Sequence, residues 1–223
     1  MNDEAIHSVA YQPQFNEART ATFGMGCFWS PEALFGQLPG VIRTRVGYAG
    51  GQAESPTYRE MGDHTETVQI VYDPGLLTLP QIASLFWDSH KPANINDYKG
   101  RQYQSLFFYE DDAQRADIES VLEFRMSRGL ERPDTEIALL EAFYPAEERH
   151  QKYYLKRFPR AMDMLLVWYG NEAALNGATL AARLNGLAKG YANMERIKRE
   201  VAGWPMNEEE RSAILEGISR IKW

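Results

Sequence analysis

A short apolar strand that breaks at glycines and leads directly into a helix start is the feature that most constrains the fold of this chain. Residues 21–23, Ala-Thr-Phe, are apolar enough for a buried strand, and Gly24 and Gly26 allow the backbone to turn tightly after it. Ser30 suits a helix N-cap, and Pro31 suits the first helical position, where proline's missing N–H costs nothing. The pattern predicts a strand, a tight turn and a helix.

Cys27 is the only cysteine among the 223 residues, and it stands in this turn just before the predicted helix. Unpaired backbone N–H groups and the positive end of the helix dipole favour a thiolate over a thiol at such a position. Cys27 is therefore a candidate nucleophile. The alternative is that Cys27 is simply a small buried apolar residue, which is the commoner role of an isolated cysteine.

The composition is that of an ordinary globular protein and argues against several functions. Hydrophobic residues make up 44% of the chain and charged residues 25%. The net charge of −7, with no block of Lys and Arg, argues against a nucleic-acid partner. There is neither an apolar run of membrane-spanning length nor a signal-peptide pattern, so we expect a cytoplasmic protein with no membrane partner. One cysteine and four histidines give poor support for a bound metal.

Hydrophobic periodicity predicts alternating strands and helices along the first two thirds of the chain. Strands are expected at residues 41–48, 65–72, 105–109 and 136–140, and helices at about 31–37, at 79–89 and from Asp111. A further helix is expected from Pro145 to about Lys156 or Arg157. The order strand, helix, strand, strand, helix, strand is a split βαβ pattern. We therefore expect an α+β fold, a ferredoxin-like plait with a mixed sheet.

The same patterns divide the chain into three parts. Residues 1–19 are polar and aperiodic and are interpreted as an N-terminal arm. Residues 20–158 form the predicted catalytic domain. Residues 159–223 form a C-terminal extension with only helical periodicity. The extension either packs on the core or mediates oligomerisation, and packing is the simpler expectation.

The motif Gly-Cys-Phe-Trp at residues 26–29 resembles the signature of the type A peptide methionine sulfoxide reductases, which reduce the S epimer of methionine sulfoxide. The resemblance covers about residues 20–158 and continues in order through Leu-Pro-Gly-Val at 38–41, Gly-Tyr-Ala-Gly-Gly at 47–51, Pro-Thr-Tyr-Arg-Glu at 56–60, His-Thr-Glu at 64–66, Val-Tyr-Asp-Pro at 71–74, Phe-Trp at 86–87, His90, Gln-Tyr at 102–103 and Phe-Tyr-Pro-Ala-Glu at 143–147. It implies reduction of methionine sulfoxide, free or in oxidised proteins and peptides.

This reaction needs a thiolate, a proton donor for the sulfoxide oxygen and an apolar receptacle for the methyl group. The resemblance implies that Cys27 is the nucleophile and Glu66 the acid. A carboxyl held against aromatic side chains stays protonated near neutral pH, because burial penalises its charged form. Glu66 could then donate its proton to the oxygen.

The resemblance also implies the residues that hold the substrate. Tyr58 and Tyr103 correspond to two tyrosines that hydrogen-bond the sulfoxide oxygen, and Phe28 and Trp29 would form the wall against the methyl group. Asp97 is the nearest candidate for an aspartate of the family pattern, although the chain carries one extra residue between it and Tyr103. Structural roles are expected for the remaining candidates, His64, His90 and His150.

Cys27 is expected to end each reduction as a sulfenic acid. Many members of the family resolve this species with a second cysteine near the C-terminus, and this chain has none. The resemblance therefore implies no bound cofactor and an external thiol reductant, either a thioredoxin-like protein or a small thiol, which attacks Cys27 directly.

Three other functions stay open from the sequence. A one-cysteine thiol peroxidase would use Cys27 but would have no use for Glu66 together with Tyr58 and Tyr103. A non-catalytic module that binds oxidised methionine would not need a thiol. Acyl transfer of the Cys–His type is weaker, because no motif ties a histidine to Cys27.

Overall fold

The computed structural model describes residues 13–15, 17–95, 100–221 and 223. Within these ranges six strands form one sheet in the order β5–β4–β1–β3–β2–β6. Neighbouring strands are antiparallel except β4 and β5, which are parallel. The fold is therefore α+β with a mixed sheet, as the sequence predicts. The strands are β1 (Arg19–Met25), β2 (Val41–Ala49), β3 (Thr65–Tyr72), β4 (Ser105–Tyr109), β5 (Glu136–Leu139) and β6 (Phe143–Pro145).

The helices follow the predicted positions over most of the chain. Thr78 and Gln81 form the capping box of α2, and the Asp111 carboxylate accepts the Gln114 N–H to cap α3. The helices are α1 (Trp29–Gly36), α2 (Leu79–Asp88), α3 (Asp112–Ser127), α4 (Pro159–Tyr169), α5 (Glu172–Asn176), α6 (Thr179–Lys189), α7 (Met194–Ala202) and α8 (Glu208–Arg220). No helix among the described residues is both long and apolar enough to cross a membrane.

An aromatic cluster on the sheet fixes α1 and α2. The ring of Phe23 on β1 is fully buried and lies 4.5 Å from that of Phe35 on α1 and 5.5 Å from that of Phe86 on α2. Phe107 on β4 lies 5.5 Å from Phe23 on the same face. Burial of each such side chain contributes about 1.5–3 kcal/mol. Packing therefore holds the turn between β1 and α1 against the sheet.

The helix predicted from Pro145 is wrong. Pro145 ends β6 and pairs with Gly47 on β2, and only two short 3₁₀ helices follow, Glu148–His150 and Leu155–Arg157. The Gln151 side chain between them accepts the Val46 N–H at 2.9 Å and donates to the Val46 carbonyl at 2.8 Å. Lys152 follows with φ +52°, outside the helical region. Tertiary hydrogen bonds to β2 thus replace the helical ones that the local pattern favours.

The extension has a core of its own and packs on α1 and β2. Its buried cluster includes Leu165, Leu184 and Ile197. Gly186 on α6 lies so close to α1 that an added Cβ would be 2.9 Å from the Ala33 carbonyl oxygen. The Thr179 hydroxyl donates to the Ile42 carbonyl at 2.7 Å. The division at residues 19 and 158 stays a prediction, and most of the predicted arm, residues 1–12 and 16, lies outside the described ranges.

Candidate active site

The turn before α1 differs from the sequence prediction in its cap. Phe28, already helical at φ −67° and ψ −13°, is the N-cap residue, and α1 begins at Trp29. The Phe28 backbone N–H donates to Glu66 Oε2 at 3.1 Å, so a carboxyl from β3 takes the place of a capping side chain. The prediction that Ser30 caps the helix is therefore wrong. Ser30 is the second residue of α1, and its hydroxyl is hydrogen-bonded to the Tyr154 hydroxyl at 2.8 Å.

Glu66 is buried beneath this turn, with 1% of its surface exposed. Gln102 donates to Oε1 at 2.8 Å, and Phe28 donates to Oε2. Burial raises the pKa of Glu66 above its usual range, and these two hydrogen bonds oppose the rise. The direction is the one required of a carboxyl that keeps its proton at neutral pH.

Cys27 is half-buried beside this carboxyl. The pKa of its thiol is raised to about 11: burial is the main cause, the hydrogen bond from the Trp29 N–H opposes it, and the negative charge of Glu66 adds to it. The expectation that the helix start favours a thiolate is therefore wrong for the resting protein. The backbone N–H acts in the expected direction, but the cost of burying the charge is larger.

Two tyrosines complete the group around Glu66. Tyr103 is hydrogen-bonded to Tyr58, and burial together with the charge of Glu66 raises the pKa of Tyr103 above its usual range. The charge of Cys27 contributes in the same direction, so the hydroxyl and the thiol lie close enough to interact. The structure thus brings together Cys27, Glu66, Tyr58 and Tyr103, the four residues predicted to be catalytic.

Phe28 and Trp29 occupy different environments next to Cys27. Phe28 is fully buried, with its ring 5.5 Å from that of His150. Trp29 is partly exposed and stacks on Tyr153, with centroids 3.8 Å apart and planes 5° apart. His150 is also stacked against Trp29, at 5.9 Å. The aromatic wall therefore extends further than the sequence predicts.

Two further aromatic residues lie beside the site: His150, for which the sequence predicted only a structural role, and Tyr153, which the sequence analysis did not identify. His150 is buried, packs 4.7 Å from the Tyr58 ring, and has a pKa lowered by burial. The structural role expected for it is thus served inside the site, where it packs against Tyr58 and Trp29. The available signal was the pair Tyr153–Tyr154 shortly after His150, which the prediction of a helix for that segment left unused.

The remaining candidates have plainer positions. The His64 ring accepts the Gly51 N–H at Nδ1 and lies 2.8 Å from the Ala53 carbonyl through Nε2, and His90 bridges Phe86 and Ser105. Asp97 lies outside the described residues. Among the described side chains, no group of three or more His, Cys, Asp or Glu residues is placed to hold a metal ion.

Comparison with known proteins decides between the functions left open. Residues 19–173 match the family described as peptide methionine sulfoxide reductase. The chain belongs to this family. It is therefore an oxidoreductase that reduces methionine sulfoxide.

Relatives from distant organisms agree. The chain is 44% identical to a peptide methionine sulfoxide reductase of Drosophila melanogaster over 81% of this chain and 72% of the relative. It is 41% identical to peptide methionine sulfoxide reductase A5 of Oryza sativa subsp. japonica, over 84% of this chain and 78% of the relative. The second alignment covers more of the chain than the family match does, so similarity to reductases extends beyond residues 19–173.

Solved reductase structures share the fold. Methionine sulfoxide reductase A of Corynebacterium diphtheriae is 32% identical, with a TM-score of 0.55 over 70% of this chain and 81% of that chain. Reduced Mxr1 of Saccharomyces cerevisiae is 27% identical, with a TM-score of 0.58 over 66% of this chain and 91% of that chain. The mixed sheet and helices described above are thus those of a reductase.

Proposed function

We propose that the chain reduces the S epimer of methionine sulfoxide, free or in oxidised proteins and peptides, with Cys27 as the nucleophile and Glu66 as the acid. The observation that carries this proposal is the position of the Glu66 carboxyl, which is buried beside Cys27 and the Tyr58–Tyr103 pair and whose pKa burial raises. A sulfoxide sulfur becomes electrophilic when its oxygen is protonated or strongly hydrogen-bonded. A protonated carboxyl can supply the proton, and two hydroxyl groups can supply the hydrogen bonds.

The proposed reaction balances within this group of residues. Glu66 protonates the sulfoxide oxygen as the Cys27 sulfur bonds to the substrate sulfur, and the proton that the thiol loses restores Glu66. The hydroxyl then passes to the Cys27 sulfur, the bond between the two sulfur atoms breaks, and methionine leaves. Cys27 is oxidised to a sulfenic acid, and the sulfoxide is reduced to the thioether.

The substrate methyl group would lie against Phe28 and Trp29. The contacts of Trp29 with Tyr153 and His150 support this assignment, because they restrain the indole ring next to Cys27. Asp97 is proposed as a further substrate contact on the motif alone. With no second cysteine in the sequence, recycling of the sulfenic acid requires an external thiol, from a thioredoxin-like protein or a small molecule.

We also propose a finer description of the fold. The central strand order β4–β1–β3–β2, all antiparallel, supports a ferredoxin-like plait to which β5 and β6 are added at the edges. Residues 20–158 would be the catalytic domain and residues 159–223 the extension.

The test is a single turnover without reductant. Purified protein is mixed with a peptide that carries either the S or the R epimer of methionine sulfoxide, and methionine is quantified, with Cys27→Ser as the control. One methionine per chain, from the S epimer alone and absent in the variant, is expected. Absence of methionine while Cys27 still reacts with peroxide would replace this proposal with the peroxidase.

A further inference from the structure

A recess of about 360 Å³ opens beside Cys27 on a second side of the residue. Ser30 and Leu34 line it from the exposed face of α1, Ser89 and Lys91 line it from the segment after α2, and Tyr191 lines it from the extension. The helical spacing from Ser30 to Leu34 places both side chains on one face of α1. The recess therefore runs along the outer surface of the helix that follows Cys27.

Apart from Cys27, the described residues that line this recess differ from those that surround Glu66. Phe28, Glu66, Tyr58 and Tyr103 are not among the described residues that line it, and Cys27 is the residue that belongs to both. The Phe28 N–H points at the Glu66 carboxyl, while Ser30 and Leu34 face the recess. Cys27 thus stands between the acid group and a second, open approach.

The chemistry of recycling requires such an approach. If the sulfoxide oxygen is held by Glu66 and the tyrosines, the hydroxyl of the Cys27 sulfenic acid is left on their side of the sulfur. A thiolate displaces this hydroxyl in line, so it must reach the sulfur from the side away from the acid group. The recess provides access from a direction that the acid group does not occupy.

We propose that this recess binds the small thiol that reduces the Cys27 sulfenic acid. This proposal rests on the proposed function. The first thiol forms a sulfur–sulfur bond to Cys27 as the sulfur–oxygen bond breaks, and the hydroxyl leaves as water with a proton from Glu66. A second thiol attacks the sulfur of the first, a disulfide leaves, and Cys27 is restored as a thiol. Two thiols are oxidised, and one sulfenic acid is reduced.

The size of the recess suits a small-molecule thiol. The volume lies at the lower end of the range of about 300–1,000 Å³ that is typical of small-molecule sites. Tyr191, between α6 and α7, closes one side of the recess, and α6 is fixed to α1 because Arg183 donates to the Gly36 carbonyl at 2.6 Å. Tyr191 therefore offers a small thiol a contact on this side of the recess.

The charge of the lining indicates which thiols fit best. Lys91 is exposed at the recess and carries a positive charge, and burial lowers the pKa of its neighbour His90, which therefore stays neutral. The described lining residues include no Asp or Glu. A thiol with a carboxylate is therefore preferred over one with an ammonium group.

Ser89→Trp tests the site by filling it, and Ser127→Trp is the matched control. Both serines are exposed at helix C-termini, but Ser127 ends α3 and does not line the recess. Two rates are measured on each protein: methionine release in a single turnover, and reduction of the preformed sulfenic acid by glutathione. Ser89→Trp is expected to slow sulfenic acid reduction about fivefold or more, by more than it changes methionine release, and Ser127→Trp is expected to change neither rate.

Tyr191→Ala and Lys91→Glu probe the wall and the charge. Tyr191→Ala is expected to raise the KM for glutathione severalfold. Lys91→Glu is expected to lower the ratio of the glutathione rate to the cysteamine rate about three- to tenfold. Arg199→Glu makes the same change in net charge at an exposed position of α7 outside the recess, and the ratio should stay constant there.

The outcomes separate this proposal from the proposed function. No methionine from the unmodified protein would refute the proposed function itself. Methionine release with normal reduction by glutathione in Ser89→Trp would overturn the thiol site. An equal loss of methionine release and of sulfenic acid reduction in Ser89→Trp would assign the recess to the sulfoxide substrate, and the thiol site would again be overturned. The proposal would also be overturned if the variants slow reduction of the sulfenic acid by a thioredoxin but leave the rate of its reduction by glutathione unchanged.

Discussion

Lys152 Nζ donates to Glu32 Oε1 at 2.7 Å, and both side chains are completely buried. Glu32 lies in the first turn of α1, and its other oxygen accepts the Lys152 N–H at 2.8 Å. The same ammonium donates to the Thr44 carbonyl at 2.9 Å. The pair therefore joins α1, β2 and the segment that carries His150 and Tyr153, and it helps to hold the aromatic wall of the active site.

Lys152→Met is expected to destabilise the protein by about 3–5 kcal/mol, because it leaves the Glu32 carboxylate buried without a counter-charge. Adding Glu32→Gln to Lys152→Met should recover part of this loss, since the neutral amide can still accept the backbone N–H of residue 152. Urea unfolding of the three proteins measures both effects.

The control is Glu195→Gln, which breaks the exposed ion pair to Lys198 on α7. A loss of no more than about 1 kcal/mol is expected there. If the double variant at positions 32 and 152 were less stable than Lys152→Met, the loss would not come from an unpaired charge.

Alkylation of Cys27 should depend steeply on pH. Because burial raises its pKa to about 11, the iodoacetamide rate should be low at neutral pH and increase toward that value. The folded thiol holds its proton more tightly than the unfolded thiol does. This contribution to stability is therefore present below the ordinary thiol pKa of 9.0 and is lost as the pH rises toward about 11.

Glu66→Gln should move the alkylation midpoint of Cys27 to lower pH, since it removes a negative charge that raises the pKa. The amide fits the site if Gln102 reverses its own side-chain amide, so that each donor again faces an acceptor. Methionine release should fall by about 10²–10⁴-fold, because the proton donor is lost. A midpoint that stays fixed would show that Glu66 does not act on the thiol electrostatically.

Gly26→Ala is expected to destabilise the protein and to reduce methionine release. Gly26 has φ +94°, and an added Cβ would lie 2.6 Å from Ile95 Cγ2. Both backbone strain and a side-chain clash therefore oppose the change. The loss should be about 2 kcal/mol or more, measured by thermal unfolding.

Gly129→Ala separates these two causes. Gly129 has φ +83° and would place its Cβ in open space, so only the strain is expected. Ile95→Ala combined with Gly26→Ala relieves the clash and should restore part of the difference. Equal losses at the two glycines would show that the clash with Ile95 is unimportant.

The sequence predicted the central fold because its signals there are local. The alternation of residues 65–72, the cap at Thr78 and the break at Gly26 each depend on neighbours in the chain. The prediction failed where distant groups decide the conformation. Glu66, which is 38 residues away, caps α1 at Phe28, and Gln151 bonds to Val46 in place of forming a helix.

In the active site, too, motifs in the sequence identified the residues, whereas properties that depend on the folded structure could not be predicted. Motif matches indicated Cys27, Glu66, Tyr58 and Tyr103, and the structure brings these residues together. The direction of the Cys27 pKa shift could not be predicted, because it depends on how deeply the folded chain buries the thiol. The wall formed by Tyr191 depends on the packing of α6 against α1, which periodicity alone does not reveal.

Arg183 provides a test of whether the extension supports the catalytic helix. Its side chain is 1% exposed, pairs with Glu200 on α7 and donates to the Gly36 carbonyl at the end of α1. Arg183→Met leaves the Glu200 carboxylate without its counter-charge and the Gly36 carbonyl without this donor, so a loss of about 3–5 kcal/mol is expected. Arg183→Lys keeps the charge but cannot reach both partners with one ammonium, so it should recover only part of the stability. Arg199→Met, at an exposed position of α7, should be nearly neutral.

If the extension supports α1, methionine release at a temperature where all variants are folded should fall in Arg183→Met and stay normal in Arg199→Met. A stability loss with unchanged methionine release would mean that the extension stabilises the fold without positioning Cys27.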